Sequence, residues 1–223
     1  MRRILVFAAL LFALHASAQT SPDEWVVRAD AKDFLNERYY GVTTANGMVG
    51  LISSPEPFRM NETVLAGVYD YFGRGRVLNF LPNICPINLE VKLDGTKLNK
   101  NNVSDYTQTI DMRNGEFVGQ LTFGGSRVVY RYCALRQLSH AVMMEVEVTP
   151  SADILLETSL KHEVPSSLHG AKMTTNDLSF HHKDEPAFTI ITTTALSPSE
   201  TVRTASSSIF LFPEEDAAMP VQH

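Results

Sequence analysis

Helical periodicity is missing from this sequence. No stretch of twelve or more residues repeats its apolar side chains at helix spacing, which sets aside bundles and coiled coils. Basic blocks are missing as well. Lys and Arg total 19 against 25 Asp and Glu, a formal charge of -6, and without a positive cluster nucleic acid is excluded as a partner. Cysteine is reduced to Cys85 and Cys133, neither with neighbours at the spacing of a zinc site. Two alternatives stand for this pair: a disulfide in an oxidising compartment, worth roughly 4 kcal/mol because the closed loop is long, or two unpaired buried thiols.

The usual signatures of covalent, metal or nucleotide chemistry are also lacking. There is no G-x-S-x-G motif and no Cys/His pairing for a nucleophile. His181 and His182 are adjacent, so on a strand they would point to opposite faces, and His140, His162 and His169 have no ligand-like neighbours. No metal and no cofactor is expected. "GRGRVL" (Gly73 to Leu78) has Leu78 where a dinucleotide fingerprint needs its third glycine, and no helix follows; it reads as a loop.

What is present begins with an export signal. Arg2 and Arg3 precede an apolar run from Ile4 to Leu14, and Ala16-Ser17-Ala18 supplies an A-x-A cleavage site. The run is shorter than the roughly 20 residues needed to span a bilayer. Residues 1–18 are therefore expected to be removed, leaving 19–223 as an exported domain, periplasmic or secreted, with no membrane partner after cleavage.

The mature chain alternates. In "INLEVKL", Ile87, Leu89, Val91 and Leu93 take one face, and Asn88, Glu90 and Lys92 the other. In "VMMEVEV", Val142, Met144, Val146 and Val148 point inward, with Met143, Glu145 and Glu147 outward. Such a period of two predicts antiparallel strands with one wet face. Asn46-Gly47, Asp94-Gly95, Asn114-Gly115 and Gly124-Gly125 fall between strand-like runs and supply hairpin turns. The last two join "YTQTIDMR", "EFVGQLTF" and "RVVYRYCAL" into a three-stranded meander. "DILLETSL", "AFTIITTTAL" and "SSIFLF" continue the strands, and "SPSETVRTASSS" reads as a loop. The fold class predicted is all-β, a large antiparallel β-sandwich.

Two features are candidates for chemistry. Glu145 and Glu147 share a face about 7 Å apart, a separation used by inverting glycosidases. Alternating acids on a wet strand face are more often solvated surface charge, and that is the expectation here. The second feature is an aromatic cluster, Tyr39, Tyr40, Tyr69, Tyr71 and Phe72, able to stack on sugar rings or to fill a core. Alternation puts Tyr69 and Tyr71 on one face and Asp70 and Phe72 on the other; core packing is favoured for the cluster. Tyr69, Asp70, Tyr71 and Phe72 are the candidate substrate-binding residues.

"TVLAGVYDYF" (Thr63 to Phe72) followed by "LNFLPNICPINLEVKLDGTKL" (Leu78 to Leu98) resembles the N-terminal domain of glycoside hydrolase family 65. "YTQTIDMRNGEFVGQLTF", "SHAVMMEVEVTP", "CALRQLS" and, upstream, "NERYYGVTTANGMVGLISS" continue the resemblance in family order from about residue 36 to 150, with Ala45 in place of a family glycine. The family includes maltose, trehalose and kojibiose phosphorylases and acid trehalases. The resemblance implies a β super-sandwich that packs on a C-terminal (α/α)6 barrel in the same polypeptide. The barrel would carry the catalytic glutamate and take an α-linked glucose disaccharide or oligosaccharide; a homodimer contact is a further role implied for the domain. No catalytic residue carries over to this chain. A hydrolase is expected rather than a phosphorylase, because a sugar phosphate released outside the cell is lost. The other reading is a free-standing carbohydrate-binding β-sandwich. "PEEDAAMPVQH" closes the sequence without a docked element, as fits a cut through a longer protein equally well.

Overall fold

The computed structural model describes residues 22–35, 39–72, 77–178 and 188–211. The expected signal at 1–18, the adjacent His181 and His182, and the Gly73 to Arg76 segment lie outside them. A 3-10 turn leads into β1 (Val26–Asp30). Asp30 then caps a four-residue helix, α1 (Ala31–Phe34), by accepting from the Lys32 amide at 2.9 Å, the usual remedy for unpaired amides at a helix start.

All the longer elements are strands. β2 (Thr43–Ala45), β3 (Val49–Ser53) and β4 (Met60–Tyr71) are followed by β5 (Leu78–Pro82), β6 (Cys85–Leu93) and the short β7 (Thr96–Lys97). The meander is β8 (Ser104–Asp111), β9 (Glu116–Phe123) and β10 (Ser126–Ala134), extended by β11 (Val142–Thr149). β12 (Leu156–Glu163), β13 (His169–Leu178), β14 (Phe188–Leu196) and β15 (Arg203–Ile209) complete the described chain. They form antiparallel sheets ordered β1-β8-β9-β10-β11, β2-β3-β4-β5, β12-β6-β7 and β13-β14-β15, packed as a sandwich. At the β6–β7 hairpin Asp94 and Gly95 have φ of 50° and 74°, the paired left-handed conformation of a two-residue hairpin turn.

The main core lies between the five-stranded sheet and β6. Tyr106, Ile110, Phe117, Leu121, Val128, Tyr130 and Tyr132 line the sheet's inner face; they meet Ile87, Leu89, Val91 and Leu93, with Leu51, Phe58 and Met60 alongside. Three of these side chains are tyrosines, so the core needs internal polar partners. Tyr106 and Tyr130 share a hydroxyl hydrogen bond of 2.8 Å. Gln108, itself buried, donates to the Tyr106 hydroxyl at 2.7 Å and to the Ser54 carbonyl at 2.6 Å, and accepts from the Tyr39 hydroxyl. Burial pushes the Tyr106 and Tyr130 hydroxyls well above the usual phenol range, so the network stays neutral. Tyr39 thus packs against the core, while Tyr40 is exposed.

Several sequence expectations are revised. Cys85 and Cys133 are both free thiols, so the disulfide alternative does not hold. Strand parity explains why. Cys85 is buried and donates to Asn88 Oδ1 at 3.2 Å, whereas Cys133 follows Tyr132 on β10 and so turns to the opposite face from that core residue. Burial raises the pKa of both thiols. Asn88, placed outward by alternation, is buried: the outer face of β6 is covered at that point. The Ser-rich run expected to be a loop contributes to β15 from Arg203 onward. Its hydroxyls bind the neighbouring strand, Ser206 Oγ donating to the Ile84 carbonyl at 3.1 Å and Ser208 Oγ to the Pro86 carbonyl at 2.5 Å.

His162 on β12 links this hairpin to the body. Its Nδ1 lies 2.9 Å from Thr193 Oγ1 and its Nε2 2.6 Å from Ser208 Oγ, and burial pushes its pKa down from 6.5. A histidine more basic unfolded than folded contributes stability fully above its unfolded value and loses it as pH falls below about 6.5. Thermal melts between pH 8 and pH 5 are expected to show a fall in Tm in the wild type that His162→Gln reduces. An identical fall in both would remove His162 from the acid response.

Candidate functional site

The segment with the candidate substrate residues is the end of β4 and its return in β5. Tyr69 pairs with Phe80, Asp70 with Asn79 and Tyr71 with Leu78. Directly opposed residues of an antiparallel pair share a face, so Tyr69, Tyr71, Leu78 and Phe80 stand together. Their exposures are 41%, 52%, 57% and 55%, and the Tyr69 and Phe80 rings lie 4.4 Å apart at 39°. Core packing, the expectation for the cluster, therefore fails for Tyr69 and Tyr71. It holds for Phe72, which packs against the second core of Leu81, Ile84, Leu168 and Ala195. An irregularity between Val64 and Tyr69 includes Gly67 at φ 81°, and such a bulge re-aims the strand that follows it.

Asp70 faces the other way and is buried, 2% exposed. One carboxylate oxygen accepts from the Tyr71 amide at 2.6 Å; the other accepts from the Ser199 amide at 2.9 Å and the Ser199 hydroxyl at 2.5 Å. Asp70 thereby clamps β4 to the turn between β14 and β15. Three of its acceptor sites are thus taken by its own chain. Asn79 is engaged similarly, donating to the carbonyls of Phe72 and Val77.

Hydrogen bonds from Ser197 and Ser199 hold the Asp70 carboxyl well below the usual carboxylate range. A carboxylate more acidic folded than unfolded contributes stability that is present above an unfolded value near 3.8 and lost as pH falls through the folded one. Asp70→Asn is expected to lower Tm at neutral pH and to shrink the difference from wild type as pH drops below 4. Circular dichroism melts across that range measure this; a pH-independent difference would contradict it.

The other acids are arranged for structure. Glu145 and Glu147 lie on the outer face of β11, and Arg131 of β10 approaches them at 4.0 and 3.5 Å. That is the solvated surface pair expected from the sequence. A cleft of about 480 Å³ opens beside β6, β7 and β12, lined by Glu56, Arg59, Glu90, Lys97, Lys161 and Glu163 among others. Arg59 Nη2 contacts both oxygens of Glu163 at 2.5 and 2.6 Å. Lys97 binds Glu90 at 2.7 Å, a hydrogen bond that lowers the Glu90 pKa. Glu90, held towards its ionised form by Lys97, is poorly suited to be the protonated acid that glycoside cleavage requires. Among the described residues no three His, Cys, Asp or Glu side chains come together to hold a metal ion.

Leu78 and Phe80 are the members of the exposed face that the sequence did not single out. The signal for them is the pairing register of β4 and β5, which sets Tyr71 opposite Leu78 and Tyr69 opposite Phe80.

Comparison with known proteins matches residues 36–217 to "Glycosyl hydrolase family 65, N-terminal domain". A kojibiose hydrolase of Flavobacterium johnsoniae is 39% identical over 201 residues, covering 90% of this chain and 29% of that protein. A kojibiose hydrolase of Mucilaginibacter mallensis is 34% identical over 220 residues, covering 97% of this chain and 31% of its own length. The chain thus spans about thirty per cent of the length of these curated relatives.

Proposed function

The chain belongs to glycoside hydrolase family 65, as its N-terminal domain, and on that premise we propose that it is the non-catalytic β-sandwich of an exported enzyme that hydrolyses kojibiose or a similar α-linked glucose disaccharide. The observation that carries this reading is the 39% identity to a kojibiose hydrolase across nine-tenths of the chain. The ion-paired acids described above support a non-catalytic role.

In this reading the catalytic groups lie in the remainder of a longer polypeptide, in a barrel that the sandwich supports. One acid there protonates the departing glycosidic oxygen while activated water attacks the opposite face of the sugar, inverting the anomeric carbon. Export, inferred from the Arg2-to-Ala18 signal pattern, favours water over phosphate as the nucleophile. The test is to incubate the longer polypeptide with kojibiose, trehalose and maltose in phosphate buffer. Glucose without glucose 1-phosphate is expected, with kojibiose the preferred substrate. Accumulation of glucose 1-phosphate would overturn the hydrolytic assignment.

A further inference from the structure

We propose that the exposed face of Tyr69, Tyr71, Leu78 and Phe80 is the surface on which the remainder of the same polypeptide docks. The inference rests on the reading of the chain as one domain of a longer enzyme.

Four observations carry it. The face is contiguous and apolar, set by the register of β4 and β5, with each side chain at least 41% exposed; a soluble protein rarely leaves such a patch uncovered, and contiguous apolar patches mark interaction sites. The face is also preorganised. Directly behind it the buried Asp70 is held by Tyr71 and Ser199, so covering it costs little ordering entropy.

The third observation concerns what the occupant is. Sugar recognition pairs an aromatic platform with polar groups that fix the hydroxyls. The two polar side chains paired across the described hairpin, Asp70 and Asn79, are turned to their own backbone and to Ser199. What is left facing outward is two tyrosine rings, a phenylalanine and a leucine, the composition of a protein interface core. The fourth is length: the relatives continue for more than twice the span matched here, so a covalently attached partner is at hand at high effective concentration.

Hydroxyl-radical footprinting of the longer polypeptide, read by mass spectrometry, tests this directly. Oxidation rates of Tyr69, Tyr71 and Phe80 are compared in native and urea-unfolded protein, at two protein concentrations, with and without kojibiose. Strong protection of all three in the native protein, unaffected by dilution or by sugar, is the expected result. Rates close to the unfolded ones would show a free face and overturn the proposal. Protection lost on dilution would assign the face to a second copy, and protection appearing only with kojibiose would assign it to sugar; either outcome overturns it too.

A double variant reads the energetic consequence. Leu78→Asp with Phe80→Asp alters exposed side chains only, so the sandwich itself is expected to fold. In the longer polypeptide the substitution is expected to split a single thermal transition into two; an unchanged transition contradicts the proposal. Hydrolysis of kojibiose by the wild-type preparation is measured alongside. Its absence would defeat the functional reading of the enzyme, whereas a reactive face in an active enzyme would defeat only the docking assignment.

Discussion

Gly119→Ala lowers the stability of the sandwich by about 3 kcal/mol, a fall in Tm on the order of 10 °C for a domain of this size. Gly119 on β9 stands opposite Tyr130 on β10, and the tyrosine ring lies over the bare backbone. A Cβ at position 119 would sit 2.1 Å from both Cε1 and Cζ of that ring, far inside van der Waals contact. Relief would require Tyr130 to move, and Tyr130 is held on several sides. Its ring packs on Phe58 at 4.7 Å and near Phe117 at 6.0 Å, and its hydroxyl is bonded to Tyr106. A one-carbon addition therefore disturbs the centre of the core and its polar network together. The pairing of a strand glycine with a covering cross-strand aromatic is a known way to protect backbone that lacks a side chain. Thermal or denaturant unfolding of Gly119→Ala checks the expectation; a Tm within a degree or two of wild type would show that the ring can shift without penalty.

Asn88→Ala is expected to cost about 2 kcal/mol. The Asn88 carbonyl oxygen accepts from the buried Met60 amide at 2.7 Å and from the Cys85 thiol at 3.2 Å, and its amide donates to Glu163 at 3.0 Å. Truncation leaves the Met60 amide without an acceptor on the side away from solvent, and an orphaned buried donor costs most of its desolvation penalty. It also removes one of the groups that orient Glu163 towards Arg59. Truncating Arg59 instead removes an ion pair in which both side chains are more than 40% exposed; surface pairs of that kind contribute little. Urea unfolding of the two variants separates the roles, with Asn88→Ala expected to show the larger loss. Equal small losses would mean that Asn88 is not the tie between β6 and β4 described here.

Asn88 also shows where sequence reading reached its limit. Alternation assigned Ile87, Leu89, Val91 and Leu93 to the core, and all four are buried. The same rule put Asn88 outside, because period two tells which face a residue takes but not what covers that face. Turn chemistry was legible for a local reason: Asp94-Gly95 and Gly124-Gly125 adopt the positive φ their types permit, and the meander β8-β9-β10 follows. β13 and the start of β15 were not legible. β13 is exposed along His169 to Asn176, so no buried face imposes an apolar alternation, and β15 presents serine hydroxyls to β6 where a reader looks for Val or Ile.

The candidate site divides in the same way. "YDYF" had the right parity, Tyr69 and Tyr71 on one face, Asp70 and Phe72 on the other. Parity alone could not decide which face met the core. That depended on Ser199, 129 residues away in sequence, closing over Asp70, and on Phe80 returning beside Tyr69. Family membership was legible in the spaced blocks from residue 36 to 150 and is matched as far as 217.

The most direct test of a non-catalytic sandwich is glucose release from kojibiose by the purified 223-residue chain beside the longer polypeptide. Hydrolysis by the longer polypeptide and none by the chain alone is the expected result. Turnover by the chain alone, abolished when Glu145 and Glu147 are both replaced by Gln, would contradict it.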